Sequence, residues 1–270
     1  MGICKLKLLI VGHGFVGKAV DYGFSHPQVT KTIVDPKYGT SIDSNSILDF
    51  DLVFVCVPTP MGTDGNIDTS IINSVIEQVK DAKLVVVKST VTPDIVKEWP
   101  DNVVYNPEFL TEKSANEQFV NPPFHIMGGK YTYDLEEFYE KYSLCNPCPV
   151  LHMTLEEASF VKYTINSFLA MKVTFFNQLY DAVKDTDANY ATIIKAVGMD
   201  PRIGHSHTKV PGFDGKQGFG GACFPKDTNA LINYSKRFTL LEECVKINNR
   251  YRSQYELDER EKEQNIVYNG

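Results

Sequence analysis

Residues 218–227 of this sequence, Gly-Phe-Gly-Gly-Ala-Cys-Phe-Pro-Lys-Asp, combine a glycine-rich stretch with a thiol, an amine and a carboxylate. Pro225 suits the first turn of a helix, which places Cys223 near the N-cap. Backbone amides and the helix dipole at that position lower the pKa of a thiol and stabilise its thiolate. Lys226 adds positive charge, and Asp227 follows the cysteine by one helical turn. The segment predicts that Cys223 is a covalent nucleophile, with a buried structural cysteine as the alternative.

A second glycine motif, Gly-His-Gly-Phe-Val-Gly at residues 12–17, follows a predicted strand and precedes a predicted helix. Gly12 and Gly14 permit a tight turn that approaches a pyrophosphate, and Gly17 lets the helix pack closely on the sheet. Asp35 ends the second predicted strand, where an acid accepts hydrogen bonds from ribose hydroxyls and repels a 2′-phosphate. The motif therefore predicts NAD rather than NADP, although Lys37 would tolerate a phosphate. The alternative is that Asp35 only starts a turn.

The elements that position these motifs alternate between strands and helices in the first half of the sequence. Six short runs rich in Val and Ile predict buried strands at residues 6–11, 30–34, 52–57, 84–88, 103–105 and 124–127. Helical spacing is present at 16–25 and 71–81. This alternation predicts an α/β fold, in which a Rossmann-like, mainly parallel sheet is covered by helices on both faces. We expect this NAD-binding domain to span residues 1–150.

The second half of the sequence has the pattern of helices only. The predicted elements are a helix over 154–185, a helix over 190–197, a glycine-rich loop over 203–221 and a long helix from residue 225. Thr154 and Glu157 have the spacing of a capping box. The polar residues 255–263 are typical of a solvated helix or a frayed terminus. We expect an all-helical central domain over residues 151–270, and this domain carries Cys223.

Composition excludes several classes of protein. The chain has 270 residues, of which 43% are hydrophobic and 23% charged, as in a globular protein of one or two domains. Its formal charge of −7 offers no basic face to nucleic acid. The apolar run at residues 5–11 is too short for a transmembrane helix and lacks a signal-peptide cleavage site. We expect a soluble, cytoplasmic protein that does not associate with membranes.

The six cysteines are too sparse for a disulfide framework. Cys4, Cys56 and Cys244 lie in apolar or helical patterns and are interpreted as free thiols. Cys145 and Cys148 have CxxC spacing, but no second pair or histidine cluster completes a zinc site. A structural loop is therefore the preferred interpretation over a metal or redox role, and no metal is predicted.

Several separated motifs point together to one family. They are residues 12–17, Val57-Pro-Thr-Pro60, Lys88-Ser-Thr-Val91, Asn106-Pro-Glu-Phe-Leu110, Lys162 with Asn166, and residues 218–227. With these motifs the sequence resembles the UDP-glucose/GDP-mannose dehydrogenase family over essentially its whole length. Residues 210–221 are closest to members that oxidise UDP-glucose. The resemblance implies an NAD-dependent, four-electron oxidation of a nucleotide sugar for polysaccharide biosynthesis, here UDP-glucose to UDP-glucuronate.

The resemblance also implies catalytic roles that suit the residue types. Cys223 would capture the aldehyde intermediate as a thiohemiacetal, which a second hydride transfer converts to a thioester. Lys162 and Asn166 are spaced i, i+4 on one helix face, and their donors would stabilise the developing oxyanion. Without the resemblance, such a pair is usually solvated.

Three further residues complete the implied catalytic set. Asp227 and Thr90 would order a water or take a proton, and Glu108 would assist hydrolysis of the thioester. Glu112 would lie beside the nicotinamide amide. Without the resemblance, the two glutamates at i, i+4 are interpreted as one helix face.

Cofactor and substrate contacts follow from the same resemblance. The implied NAD contacts are Gly12, Gly14, Phe15, Val16, Gly17, Asp35, Lys37, Val57, Pro58, Thr59, Ser89, Thr90, Glu112 and Lys226. The implied substrate contacts are Glu108, Phe109, Leu110, Lys162, Asn166, Arg202, Phe219 and Gly220. Arg202 resembles an arginine that reaches the substrate of the neighbouring subunit, which implies a homodimer through the central helices. The alternative is an exposed loop arginine.

The resemblance stops at the end of the sequence. Family members ordinarily continue into a second Rossmann-like domain that holds the nucleotide half of the substrate, and Gly270 falls where that domain would begin. We therefore expect the UDP-binding domain to be absent, in a naturally short form, a truncated chain or one half of a split gene. Two alternatives stay open: a dehydrogenase of a smaller alcohol and a non-catalytic NAD-binding protein. The presence of Cys223, Lys162 and Asp227 argues against the second.

Overall fold

The computed structural model describes residues 5–43 and 46–269, and its first half is built on a seven-stranded sheet. The strands are β1 (Leu6–Val11), β2 (Val29–Val34), β3 (Leu52–Val55), β4 (Val85–Val87), β5 (Val103–Tyr105), β6 (His125–Gly128) and β7 (Val150–Met153). Their order is β2-β1-β3-β4-β5-β6-β7. Neighbouring strands are parallel, apart from the antiparallel pair β5 and β6. The predicted α/β fold with a mainly parallel sheet is confirmed.

All six predicted strands are present, but two details differ from the prediction. β2 was expected to be buried, and only its last residue is, because it lies at an edge of the sheet. β7, at the other edge, was not predicted. None of its four side chains is fully buried, so its sequence lacks the continuous apolar run of the inner strands. The inner strands β3, β4 and β5 are buried throughout, which is why their valines were recognisable.

Five helices accompany the sheet. They are α1 (Phe15–Gly23), α2 (Ser70–Val79), α3 (Pro93–Val96), α4 (Ala115–Val120) and α5 (Thr132–Tyr142), with short 3-10 turns at Pro36–Tyr38, Ile47–Asp49 and Glu112–Ser114. α1 and α2 were predicted; the other three were not. A core of fully buried side chains, among them Leu8, Leu52 and Phe54, anchors the sheet. Burying one such side chain contributes about 2 kcal/mol.

The second half of the chain is helical, as predicted. Its helices are α6 (Leu155–Val183), α7 (Tyr190–Gly198), α8 (Phe224–Tyr234), α9 (Thr239–Arg252) and α10 (Glu259–Glu263). The capping box before α6 is confirmed, because the Glu157 amide donates to Thr154 Oγ1 while the Thr154 amide donates to the Glu157 carboxylate. Between α7 and α8 the chain forms turns and irregular structure, in agreement with the predicted glycine-rich loop.

The end of the chain differs from the prediction. The expected long helix from Pro225 is divided into α8, α9 and α10. Of the two alternatives for residues 255–263, the helix is present over α10, started by a capping box at Asp258, and the frayed terminus is wrong. Glu261 is fully buried, whereas Glu259 and Lys262 are exposed. The polar composition did not reveal that Glu261 is buried, because the exposed Glu259 in the same helix has the same residue type.

Contacts divide the chain into two compact units. The first unit is Met1–Thr59 with Asp68–Lys162, and the second is Pro60–Ile67 with Tyr163–Gly270. The division falls inside α6, and the domain limits 1–150 and 151–270 stay a proposal. Among the described helices, none combines the length and apolar character needed to cross a bilayer. The predicted free thiol Cys4 lies outside the described residues.

Candidate active site

The glycine motif at residues 12–17 connects β1 to α1, and its three glycines have different surroundings. Gly12 has φ +87°, and a Cβ there would lie 2.6 Å from the Cys56 carbonyl oxygen. A Cβ on Gly17 would lie 2.0 Å from the Gly12 carbonyl oxygen. A Cβ on Gly14, the N-cap of α1, would meet nothing within 4 Å. Two glycines are thus required by the protein itself, while the third borders open space at a helix N-terminus, which fits an approaching pyrophosphate.

Asp35 lies against this motif. Its carboxylate accepts hydrogen bonds from the amides of His13 (2.7 Å) and Lys37 (2.9 Å). Burial raises the pKa of Asp35, but these two hydrogen bonds and the charges of Lys37 and His13 together outweigh burial, and the net shift is downward. Asp35 also caps the turn Pro36–Tyr38, so it starts a turn as well as facing the glycine motif. The ionised carboxylate at the end of β2 fits a ribose acceptor.

His13 is a residue of this region whose side chain sequence reasoning missed. Its ring nitrogens lie 2.9 Å from the Tyr38 hydroxyl and 3.3 Å from the Asp21 carboxylate. The Lys37 amine donates to the His13 carbonyl at 2.8 Å. These bonds fix the turn after β1 to the turn after β2. A histidine inside a glycine motif has no sequence signal that separates this role from a ligand contact.

The loops after β3 and β4 are tied together at the carboxyl edge of the sheet. Ser89 Oγ donates to the Val57 carbonyl at 2.6 Å, and Thr59 Oγ1 donates to the Thr90 carbonyl at 2.9 Å. The predicted cofactor residues of these two loops are therefore brought together. Parallel sheets bind ligands at this edge.

Glu112 begins a 3-10 turn beside the glycine motif at residues 12–17. Together with Phe15 and Lys18 it lines an open cleft of about 520 Å³. Glu108 precedes it in a segment without helical structure, so the interpretation of Glu108 and Glu112 as one helix face is wrong. An open cleft bounded by the start of α1 fits the predicted NAD site.

Glu108 and Lys162 form a buried pair in the first unit. The Lys162 amine donates to the Glu108 carbonyl oxygen and lies 3.3 Å from Oε1 of the same residue. Both side chains are less than a tenth exposed. The Lys162 amine lies 5.1 Å from the centre of the Phe109 ring, and the Leu110 amide donates to Glu108 Oε2 at 2.6 Å. The structure thus brings together four residues that the sequence assigned to the substrate site.

A second buried pair lies in the second unit, where Asp227 is fully buried. Its Oδ1 accepts from the Lys226 amine at 2.6 Å, and its Oδ2 accepts from the Asn166 amide at 2.7 Å. One cation and one neutral donor therefore satisfy the two oxygens. The sequence placed Lys226 among the NAD contacts, while in the structure its charge is paired with Asp227.

Cys223 is the N-cap residue of α8, and Pro225 lies in the first turn, as predicted. The Asp227 amide donates to the Cys223 carbonyl at 2.9 Å, which places the carboxylate one turn along the helix. The thiol is half-buried. Other cysteines have different surroundings: burial raises the pKa of Cys56 to about 12 and also raises the pKa values of Cys145 and Cys148.

Three predicted substrate residues lie in or beside the glycine-rich loop of the second unit. Arg202 is 87% exposed in its side chain, and its guanidinium pairs with Asp200 at 2.6 Å. Phe219 is buried, and Gly220 is packed against Arg252. Their roles toward a substrate stay predictions.

Comparison with known proteins places this arrangement in a family. The profile of the UDP-glucose/GDP-mannose dehydrogenase family, NAD binding domain, matches residues 29–144. The profile of the central domain of the same family matches residues 156–250. The chain belongs to the UDP-glucose/GDP-mannose dehydrogenase family. The resemblance inferred from the motifs is confirmed, and so is NAD as the cofactor of the first unit.

Relatives in this family are longer than the chain. UDP-glucose 6-dehydrogenase TuaD of Bacillus subtilis is 31% identical, over 83% of this chain and 52% of its own length. UDP-glucose 6-dehydrogenase of Rickettsia prowazekii is 36% identical, over 72% of this chain and 47% of its own length. The chain spans about half the length of these two curated relatives. An uncharacterized protein of Methanocaldococcus jannaschii is 31% identical, with 26% of its length covered.

Solved structures share the fold. A UDP-glucose dehydrogenase from Pyrobaculum islandicum is 27% identical with a TM-score of 0.77, over 94% of this chain and 71% of that one. A UDP-D-ManNAc dehydrogenase from Pyrococcus horikoshii has a TM-score of 0.75 at 18% identity, over 92% of this chain and 69% of that one. The second likeness concerns the fold alone.

The family motifs also contain a buried network that sequence reasoning did not single out. The Lys88 amine donates to Asn106 Oδ1 at 2.9 Å, and the Tyr139 hydroxyl donates to the same oxygen at 2.8 Å. Burial lowers the pKa of Lys88 to about 8. Lys88 and Asn106 each begin a motif quoted from the sequence, so their position was visible, but their pairing across two strands was not.

Proposed function

We propose that this protein is an NAD-dependent nucleotide-sugar 6-dehydrogenase that oxidises UDP-glucose to UDP-glucuronate through a cysteine-linked intermediate. Membership of the family supports the reaction class. The observation that carries the proposal is Cys223 at the N-cap of α8, one turn from the buried Asp227. A helix N-terminus favours the thiolate, and the thiolate is the nucleophile.

The proposed chemistry balances over two oxidations. NAD⁺ supplies the hydride acceptor for both. The primary alcohol first loses a proton and a hydride to give an aldehyde. The Cys223 thiolate then adds to its carbonyl carbon, and the carbonyl oxygen takes up the proton released from the alcohol, which gives a thiohemiacetal. Loss of a second proton and hydride gives a thioester. Water then cleaves the carbon–sulfur bond, which releases the carboxylate and regenerates the thiol.

The proposed roles of the polar residues follow from their partners. The Lys162 ammonium is held on Glu108, so it can donate to an alkoxide without a large rearrangement. Glu108 is the acceptor proposed to assist thioester hydrolysis, with its other oxygen fixed by Leu110. Asn166 is oriented by Asp227, which leaves its amide in a defined position to stabilise an oxyanion. Thr90 and Asp227 are the proposed water-ordering residues.

The proposed substrate rests on the relatives named above, of which two are UDP-glucose 6-dehydrogenases. A solved GDP-mannose dehydrogenase from Pseudomonas aeruginosa is 25% identical, so other nucleotide sugars belong in the test. The matched part of this chain covers about half the length of these relatives, and the proposal concerns the reaction of this chain.

A homodimer is the proposed assembly. Phe168 and Phe175 lie two turns apart on α6, and they are 64% and 62% exposed. Large aromatic side chains on one helix face indicate a surface that another subunit covers. We expect Phe168→Glu with Phe175→Glu to shift the sedimentation coefficient from dimer to monomer. An unchanged coefficient, or a monomeric wild-type protein, would contradict the proposal.

The function is tested by NADH absorbance over a panel of UDP- and GDP-sugars. We expect two NADH per UDP-glucose, and Cys223→Ala should lower turnover about a thousand-fold or more. Cys223→Ser tests whether the thiol is needed for the second oxidation. Cys244→Ser, at another half-buried cysteine, is the matched control. Tight NAD binding without turnover on any sugar would overturn the proposal in favour of a non-catalytic role. Turnover of an alcohol that is not a nucleotide sugar would overturn it in favour of a dehydrogenase of that alcohol.

A further inference from the structure

The backbone at residues 218–221 precedes Cys223, and its start is held by side chains from two helices. The Gly218 amide donates to Asn177 Oδ1 of α6 at 3.0 Å. Asn248 of α9 makes two hydrogen bonds to Phe219: its Oδ1 accepts from the amide at 2.6 Å, and its Nδ2 donates to the carbonyl at 3.0 Å. The start of this backbone segment, hereafter the 218–221 loop, is therefore fixed by amides.

The end of the 218–221 loop is fixed by a carboxylate instead. Glu261 of α10 is fully buried, and its Oε1 accepts from the Gly221 amide at 3.1 Å. The same oxygen accepts from the Tyr268 hydroxyl at 2.7 Å and from the Arg252 guanidinium at 2.6 Å. Its Oε2 accepts from the Asp258 amide at 2.9 Å. Burial raises the pKa of Glu261, but its hydrogen bonds and Arg252 outweigh burial and lower it.

Arg252 completes the arrangement from α9. It is 1% exposed, and its Nη1 donates to Asp214 Oδ2 at 2.7 Å. The guanidinium lies 5.5 Å from the centre of the Tyr268 ring. We call Arg252, Glu261 and Tyr268 the buried triad. Its members come from α9, from α10 and from the segment after α10.

Gly220 packs directly on the buried triad. A Cβ at this position would lie 2.2 Å from Arg252 Nη2 and 2.5 Å from Glu261 Oε1. The backbone therefore approaches the ion pair more closely than any other residue type allows. The 218–221 loop is consequently in direct contact with two members of the triad, Arg252 and Glu261.

A buried ion pair is a costly way to stabilise a fold. Desolvation of two charges largely offsets their attraction, and an apolar replacement is often as stable. A carboxylate that accepts four hydrogen bonds does, however, fix the direction and distance of its donor groups, because all four bonds restrain the same two oxygens. The arrangement is thus better suited to placing the backbone before Cys223 than to adding stability.

We propose that Arg252, Glu261 and Tyr268 are positioning residues, which hold the 218–221 loop so that the Cys223 thiol points in its reactive direction from the N-cap of α8. This inference rests on the proposed thiol chemistry of Cys223. The triad does not touch the reacting atoms. It acts through the backbone of Gly220 and Gly221.

The test compares Glu261→Gln with Glu259→Gln in the full chain. Glu259 lies in the same helix, but it is exposed and pairs only with Lys262 among the described residues. Three measurements are made: the kinetics of NADH formation, which give kcat and KM; the rate at which iodoacetamide alkylates Cys223, followed by peptide mass spectrometry; and the melting temperature. We expect Glu261→Gln to lower kcat and the alkylation rate by about ten-fold each, with KM changed less. Glu259→Gln should leave all three unchanged.

Tyr268→Phe is the milder variant. It removes one of the four donors to Glu261 and keeps the ring, so we expect a fall of about three-fold in kcat and alkylation rate. If Glu261→Gln does not fold, this variant carries the test alone. A lower melting temperature with kcat and alkylation within two-fold of wild type in the folded variants would overturn the inference, because the triad would then only stabilise the unit.

The alkylation measurement separates this inference from the proposed function. If the wild-type protein turns over no sugar, slower alkylation of Cys223 in Glu261→Gln but not in Glu259→Gln still supports a positioning role. Equal alkylation rates in wild type and Glu261→Gln would overturn the inference even where the enzyme is active.

Discussion

The two glycine-rich loops of this protein are held in place by different means. In the motif at residues 12–17, the glycines are required by nearby backbone: Gly12 by the Cys56 carbonyl and Gly17 by the Gly12 carbonyl. In the 218–221 loop, the close neighbours are side chains far along the sequence, namely Arg252 and Glu261 beside Gly220. The first loop is held by main-chain atoms, and the second depends on a buried ion pair.

This difference bears on what each loop can do. In the motif at residues 12–17, backbone contacts hold Gly12 and Gly17. Gly14 faces open space, where a ligand can approach closely. In the 218–221 loop, charged side chains hold the backbone, and by the inference above changes in those side chains reach Cys223, two residues after the loop. The first loop is suited to holding a cofactor and the second to orienting a nucleophile. Substitutions of single glycines separate the two.

The largest effect is expected from Gly17→Ala. Its Cβ would lie 2.0 Å from the Gly12 carbonyl oxygen, and neither backbone segment can move without displacing α1 from the sheet. We expect the free energy of unfolding to fall by about 3 kcal/mol or more, with loss of NAD binding. Thermal melting and NAD titration measure both effects.

Gly14→Ala is the matched control for this loop. A Cβ there meets nothing within 4 Å, so the unfolding free energy should fall by at most about 1 kcal/mol, while NAD affinity still falls. Equal losses of stability in Gly17→Ala and Gly14→Ala would show that backbone contact does not fix the motif. The proposed difference between the two loops would then be wrong.

A smaller effect is expected from Gly220→Ala in the second loop. Its Cβ would lie 2.2 Å from Arg252 Nη2 and 2.5 Å from Glu261 Oε1, so the ends of these two side chains must move away at the expense of their ion pair. We expect the unfolding free energy to fall by about 2 kcal/mol. Gly221→Ala is the control: its φ is +79° but its Cβ meets open space, so backbone strain of about 1 kcal/mol is the whole expected cost. A larger loss in Gly221→Ala than in Gly220→Ala would mean that conformation, not the buried triad, limits this loop.

The comparison also explains how much of the fold was accessible from the sequence. Buried inner strands such as β3 and β4 have continuous runs of apolar residues, so their positions followed from pattern alone. β7 and α5 lie where the pattern is mixed, and they were missed. The break between α8 and α9 was missed as well, since Ser235 and its neighbours carry no glycine or proline to mark it.

The residues of the candidate site were likewise predictable only in part. Cys223 at a helix start and Gly12 at a tight turn were predictable, because Pro225 and the spacing of the glycines are signals within a few positions of each. The partners of Asp227 and Glu108 were not, since Asn166 and Lys162 reach them across long sequence separations. Glu261 was misinterpreted for the same reason. Residue type alone does not reveal which glutamate of a polar helix is buried.

A difference in acid sensitivity is also expected between the two units. In the first unit, burial and then Lys88 lower the pKa of His125 to about 4. Because this folded pKa lies below the usual value near 6.5, stability is fully present above pH 6.5 and falls towards pH 4 by about 1 kcal/mol per pH unit. In the second unit, Glu261 has a lowered pKa, so its contribution is lost only below about pH 4.5.

Residue-resolved hydrogen exchange measures the pH range over which each unit loses stability. After correction for the intrinsic pH dependence of exchange, strand amides of the first unit should lose protection between pH 6.5 and 4, while the Phe219 and Gly221 amides stay protected until the pH falls further. His125→Gln should flatten the first window, and His26→Gln is its control within the same unit. If both units lose protection over one shared window, or His125→Gln leaves the profile unchanged, acid sensitivity does not follow the local electrostatics of each unit. The two loops would then be parts of one cooperative structure, because the cost of protonating His125 would be distributed over both units.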